Sequence, residues 1–85
     1  MPKTAIITGV ASGIGLEAAR DLIAKDWTVY GLDVSDAALA PAAHALASKR
    51  FHPRACDIRD AAAIAATMRG IQKDAPRVNA LICSA

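Results

Sequence analysis

Short apolar runs and longer stretches of helical spacing alternate along the chain. Ala5-Ile6-Ile7 is a continuous apolar run that stops at Thr8-Gly9, as a strand buried on both faces does. Ile14, Ala18, Ala19, Leu22 and Ile23 then recur at helical spacing, with Glu17, Arg20, Asp21 and Lys25 on the opposite side. This predicts a helix from about Gly13 to Lys25, and Lys25 suits the negative end of its dipole. Thr28 to Leu32 predicts a second strand, ending at Asp33, after which Ser35 or Asp36 can cap an alanine-rich helix. Pro41 leaves the bounds of that helix open, because proline in a helix interior kinks or restarts it. A third strand is predicted near Phe51 to Cys56, weakened by the donor that Pro53 removes. A helix from about Asp60 to Lys73 follows, with Ile64, Met68 and Ile71 on its apolar face, and Val78 to Cys83 is the fourth strand.

Strict strand–helix alternation implies an α/β fold whose parallel sheet has right-handed crossovers. At 85 residues and 54% hydrophobic, much of it alanine, the chain has material for one modest core. Two domains are excluded, and a domain this small is marginally stable because it buries only about 60% of its unfolded surface. A net charge of +2 with interspersed signs gives no basis for binding nucleic acid or an anionic membrane surface. No apolar run approaches the roughly 20 residues that span a bilayer, and the start is too short of apolar residues for a signal-peptide core. The chain therefore reads as cytoplasmic. Cys56 and Cys83 do not make a disulfide framework and lack metal-ligand spacing with His44 or His52, so both are expected to be buried free thiols. Lys49, Arg50, His52 and Arg54 read as a solvated basic face, and Trp27 as packing for a helix-to-strand corner.

The candidate chemistry lies where the first strand meets the first helix, in Thr8-Gly9-Val10-Ala11-Ser12-Gly13-Ile14-Gly15. A helix start has unpaired N–H groups and about half a positive charge, which favours a pyrophosphate. Glycines let the backbone turn sharply and let phosphate oxygens approach where a Cβ would collide. A tight turn with no ligand uses the same residues, so the loop alone does not decide. A phosphate-loop NTPase is excluded, because no Gly-Lys-Ser/Thr follows. Asp33 sharpens the reading. Neighbouring strand ends lie side by side in a parallel sheet, so its carboxylate should accept from both hydroxyls of an adenosine ribose and repel a 2′-phosphate.

With these residues in place, the sequence resembles the short-chain dehydrogenases/reductases, in their non-extended branch. Thr8-Gly9-x-x-x-Gly13-Ile14-Gly15 is similar to that branch's glycine motif, and Asp33 occupies the family's NAD-selecting position. Asp57-Ile58 looks like the pair that holds adenine, and Leu81-Ile82-Cys83-Ser84-Ala85 resembles Leu-Val-Asn-Asn-Ala. The resemblance implies a Rossmann-type sheet with four strands, order 3-2-1-4, of a larger sheet. The first two helices would lie on one face and the third on the other, leaving the fourth strand as a poorly covered edge. It implies NAD as cofactor, with Gly9, Ser12, Gly13, Ile14 and Gly15 cradling the phosphates and Asp33 on the ribose. Asp57 and Ile58 would take the adenine, and Ser84 and Ala85 would line the path toward nicotinamide.

Cys83 and Ser84 stand where the family has two asparagines, and no residue matches the family's catalytic serine or its Tyr-x-x-x-Lys pair. No catalytic residue is therefore assigned. The expectation is that residues 1–85 are the N-terminal, cofactor-binding part of one Rossmann domain in a longer NAD-dependent enzyme acting on an alcohol/carbonyl pair. Resemblance suggests a homodimer or homotetramer for that parent. The competing readings are a non-catalytic dinucleotide-binding module and an inactive fragment.

Overall fold

Each apolar run becomes a strand and each helical stretch a helix. A computed structural model describes residues 3–84. In chain order the elements are β1 (Thr4–Thr8), α1 (Gly13–Ala24), β2 (Thr28–Asp33), α2 (Asp36–Leu46), β3 (Phe51–Ala55), α3 (Ala61–Asp74) and β4 (Ala80–Cys83). All pairings are parallel and the sheet order is β3-β2-β1-β4. The expected Rossmann-type α/β arrangement is present.

The strands divide their side chains between two faces, as the pleat requires. Ile7, Val29 and Phe51 face α1 and α2, where they pack with Val10, Ala19 and Leu39. Ile6, Tyr30 and Leu32 point the other way, onto Ile71, Ala75 and Cys56, with Ile64 and Met68 of α3 against them. Alternation of strand and crossover helix thus produces two thin half-cores on one sheet. β4 is the weak side. Leu81 is 59% exposed, and Cys83 is exposed rather than buried as its residue type suggested. Ile82 packs toward the α1 and α2 face, so Leu81 and Cys83 emerge on the opposite face, which α3 does not cover there.

Most element ends lie within a residue or two of expectation. Ser35, not Asp36, is the N-cap of α2, its Oγ accepting from the Ala38 N–H at 3.2 Å. α2 runs unbroken through Pro41, whose ring faces solvent and leaves one backbone acceptor without its helical donor. β4 starts at Ala80 rather than Val78, because the Asn79 side chain takes over part of the pairing. Its Oδ1 accepts from the Thr4 N–H at 2.9 Å, while the Asn79 N–H donates to the Thr4 carbonyl at 2.8 Å. Trp27 sits half-buried at the α1–β2 corner with Lys3 Nζ 5.5 Å from its ring centroid. The basic face is less uniform than expected. Arg54 lies over the Tyr30 ring, and Arg50 donates to the Asp26 carbonyl at 3.1 Å.

Candidate functional site

The C-terminal ends of all four strands meet at one edge of the sheet, where open α/β folds bind ligands. β1 leaves the sheet at Thr8 and turns at once. Gly9 has φ 69°, a left-handed conformation that a side chain disfavours, and its N–H and that of Val10 donate to the Leu32 carbonyl at 2.9 and 3.2 Å. This ties the loop to the end of β2. The chain then enters α1 at Gly13.

α1 begins differently from the other two helices described. Ser35 caps α2, and Asp60 caps α3 by accepting from the Ala62 and Ala63 N–H groups at 3.0 and 3.3 Å. At α1 the N-cap Ser12 makes no side-chain cap bond; its hydroxyl donates backward to the Gly9 carbonyl at 3.1 Å. The first intrahelical donor is the Leu16 N–H, to the Ser12 carbonyl at 2.9 Å. The N–H groups of Gly13, Ile14 and Gly15 precede the first intrahelical bond and have no side-chain acceptor from Ser12, and α1 has no acidic residue in its first turn. A Cβ built on Gly13 would meet nothing within 4 Å, so the first residue of the helix borders open space. Ser12, Gly13 and Ile14 are exposed, and Ile14 at 80% is the most exposed large apolar side chain described. An anion with an apolar neighbour suits this geometry.

Gly15 has the opposite role. It is buried, and a Cβ there would collide with the Gly9 carbonyl and stand 2.6 Å from Ser84 Oγ. The loop and β4 close on each other at this point. Ser84 Oγ donates to the Thr8 carbonyl at 2.8 Å, with the Gly9 carbonyl 3.2 Å away. Its hydroxyl is thus turned to the backbone of the glycine loop. Ala85 lies outside the described residues.

Asp33 ends β2 beside the loop. Its Oδ2 accepts from the Ala11 N–H at 3.0 Å and its Oδ1 from the Val34 N–H at 2.8 Å. Each oxygen keeps a lone pair for a ligand donor, and the first contact also holds the glycine loop in place. A cleft of about 370 Å³ runs from here along the ends of β2 and β3, lined by Gly9, Leu32, Asp33, Val34, Cys56, Asp57, Ile58 and Arg59. Its walls are mostly apolar with two carboxylates at the rim, and Val34 and Ile58 expose side chains there. The structure brings Gly9, Asp33, Asp57 and Ile58 together in this one cleft, with Ser12 to Gly15 on the adjoining loop.

Arg59 was not singled out by sequence reasoning. Its guanidinium pairs with Asp57 through two contacts, Nε to Oδ1 and Nη2 to Oδ2, both 3.0 Å. Its backbone N–H also donates to Oδ1 at 3.0 Å. Hydrogen bonding to Arg59 holds the Asp57 carboxyl below the usual carboxylate range. The i, i+2 spacing of opposite charges in a turn was the available signal. Among the described residues no group of three or more His, Cys, Asp or Glu side chains could hold a metal ion, and no helix is long and apolar enough to cross a membrane.

The short chain dehydrogenase family profile matches residues 3–85. A 2-dehydro-3-deoxy-L-rhamnonate dehydrogenase (NAD(+)) from Sphingomonas sp. (strain SKA58) is 36% identical over 83 residues, covering 98% of this chain and 32% of that protein. An actinorhodin polyketide ketoreductase variant crystallised with NADPH superposes with TM-score 0.91 at 29% identity, over 99% of this chain and 33% of its own. The 3-ketoacyl-(acyl-carrier-protein) reductase from Brucella melitensis, complexed with NADH, gives TM-score 0.83 at 25% identity, over 93% of this chain and 32% of its own. The chain spans about a third of the length of the curated relatives it matches. With its glycine loop, parallel sheet and family match in agreement, the chain belongs to the short-chain dehydrogenase family.

Proposed function

We propose that residues 1–85 form the N-terminal, cofactor-binding part of a single Rossmann-type domain in an enzyme that transfers hydride between NAD(H) and an alcohol/carbonyl pair. The observation that carries this reading is the start of α1. It alone among the three described helices lacks a side-chain cap, and its first residue, Gly13, borders open space. The N–H groups of its first turn suit a pyrophosphate, and the tie between Ser84 and the loop backbone keeps them oriented. The nicotinamide ring supplies the hydride acceptor or donor when the cofactor is bound. This chain's own residues bind and orient. On this reading the acid/base groups for turnover belong to another part of a longer parent, which is compatible with the chain spanning about a third of its relatives' length, and no residue here is assigned to catalysis.

Preference for NAD over NADP rests on Asp33. Its carboxylate retains one acceptor site on each oxygen for a ribose diol, whereas a 2′-phosphate would bring like charge against it. No lysine or arginine stands at Val10, Ala11, Ser12 or Val34 to offset that charge. Relatives complexed with NADH and with NADPH both occur, so family membership alone does not set the preference and this reading rests on Asp33. Calorimetric titration of NAD and NADP into the protein and its Asp33→Asn variant tests the reading. NAD should bind at least about tenfold tighter than NADP, since unit charges at contact repel by a few kcal/mol near a protein surface. Asp33→Asn should narrow that gap while keeping an amide oxygen for one of the loop N–H groups. Tighter NADP binding by the unaltered protein would refute the assignment.

A further inference from the structure

The cleft contains two carboxylates, Asp33 and Asp57, although a dinucleotide is itself anionic. Among the described residues only Asp57 of the two has a charge partner. Arg59 meets it as a two-pronged fork, and the backbone N–H of Arg59 adds a third bond. The acceptor count is specific. A carboxylate oxygen offers about two lone-pair sites. Oδ1 receives both the Nε and the backbone N–H of Arg59 and is full, whereas Oδ2 receives only Nη2 and keeps one site.

We propose that Arg59 is a positioning and specificity residue for the base end of the cleft, clamping Asp57 so that Oδ2 alone accepts one further donor, the exocyclic amino group of adenine. The inference deepens the dinucleotide reading and rests on it. Three consequences follow from the geometry. Arg59 neutralises one of the two cleft charges, so the phosphates meet one uncompensated carboxylate instead of two. It fixes the Asp57 rotamer before ligand arrives, which removes an ordering cost from binding. It also makes the site read the base, because a carbonyl in place of the amino group would face a carboxylate oxygen with no proton between them.

Arginine suits this role where lysine does not. The planar guanidinium can engage both carboxylate oxygens at once, while a lysine ammonium supplies charge without a fixed fork. Arg59 is itself exposed, its side chain 83% accessible, so its replacement removes the clamp without opening the core.

The experiment is calorimetric titration of the full chain with NAD and with nicotinamide hypoxanthine dinucleotide, in which a carbonyl replaces the 6-amino group and N1 carries a proton. It is repeated for Arg59→Ala and Arg59→Lys. The unaltered protein should bind NAD about tenfold or more tighter than the hypoxanthine analogue, the ratio expected for one hydrogen bond to a charged group. Arg59→Ala should lower NAD affinity and bring the ratio to about threefold or less. Arg59→Lys should retain more NAD affinity than Arg59→Ala and still lose most of the discrimination. A surface residue with a merely structural part would move both affinities together and leave the ratio alone. An unchanged ratio in both variants, or no discrimination in the unaltered protein, would overturn the inference while leaving the nucleotide site intact. Absence of any dinucleotide binding by the unaltered protein would overturn the site reading, and this inference with it.

Discussion

Replacing Gly15 by alanine and Gly70 by alanine is the same chemical change with opposite expected outcomes. Both glycines lie inside helices, and an alanine there gains about 1 kcal/mol of intrinsic helix preference. At Gly70 a Cβ meets nothing within 4 Å, so the full gain of about 1 kcal/mol should appear. At Gly15 the added methyl runs into the Gly9 carbonyl, stands 3.0 Å from the Gly9 carbonyl carbon and lies 2.6 Å from Ser84 Oγ. Ser84 can rotate away only by giving up its bond to the Thr8 carbonyl and its approach to Gly9, a loss of about 1 kcal/mol. The Gly9 carbonyl is backbone and moves only if the end of β1 or the start of α1 moves, which adds the 1–3 kcal/mol typical of overpacking, roughly. The helix gain offsets part of this, leaving a net destabilisation of about 1–3 kcal/mol. In a chain this size each kcal/mol shifts the melting temperature by roughly 4–8 °C. Thermal unfolding followed by circular dichroism should therefore show Gly70→Ala melting above the unaltered protein and Gly15→Ala clearly below it. If Gly15→Ala melts at or above the unaltered protein, the tight approach of loop, helix and β4 is wrong.

His52 stacks on Tyr30 with ring centroids 4.8 Å apart, and burial, followed by the nearby Arg54 charge, lowers its pKa from the ordinary 6.5, with Asp74 opposing. A histidine whose folded pKa is lowered binds fewer protons folded than unfolded, so stability should fall as pH drops below about 6.5 and level off once the folded pKa is passed. Urea midpoints from pH 7.5 to 5 should show this slope, and His52→Asn should flatten it; an equal slope in both proteins would contradict the assignment. Under native conditions a thiol reagent should label Cys83 rapidly and Cys56 only on unfolding, giving one fast equivalent by mass spectrometry. Two fast equivalents would show that the Cys56 side of the sheet is open.

Much of this architecture is legible in the order of apolar runs, because a buried parallel strand and an amphipathic helix have different periods. Ala5 to Ile7, Thr28 to Leu32 and the Ile64, Met68 and Ile71 stripe all became the elements their spacing implied. The nearness of Gly9 and Asp33 was legible for a related reason, since parallel strands deliver their C-terminal ends to one edge, whereas Asp57 and Ile58 were singled out by family resemblance. What sequence could not show depends on neighbours it does not encode. Cys83 is a residue type usually buried, yet it lies on the face of β4 that no described helix covers. Ser84 was read as lining a ligand path; its hydroxyl is turned to the Thr8 and Gly9 carbonyls, a contact that exists only because β4 pairs with β1. Asn79 replaces strand pairing by a side-chain bond, which shortens β4 from its apolar extent. The Arg59 clamp on Asp57 depends on one turn's geometry, and spacing alone does not distinguish it from a solvated pair.

The central claim is that a dinucleotide sits across the strand ends with its phosphates on α1, and backbone amide NMR during an NAD titration tests it most directly. The account predicts saturable shifts at Gly9, Ser12 to Gly15, Asp33, Asp57 and Ile58, with Lys3, Trp27 and Asn79 at the opposite sheet edge unmoved. Shifts confined to that opposite edge, or no saturable shifts at the glycine loop, would contradict it.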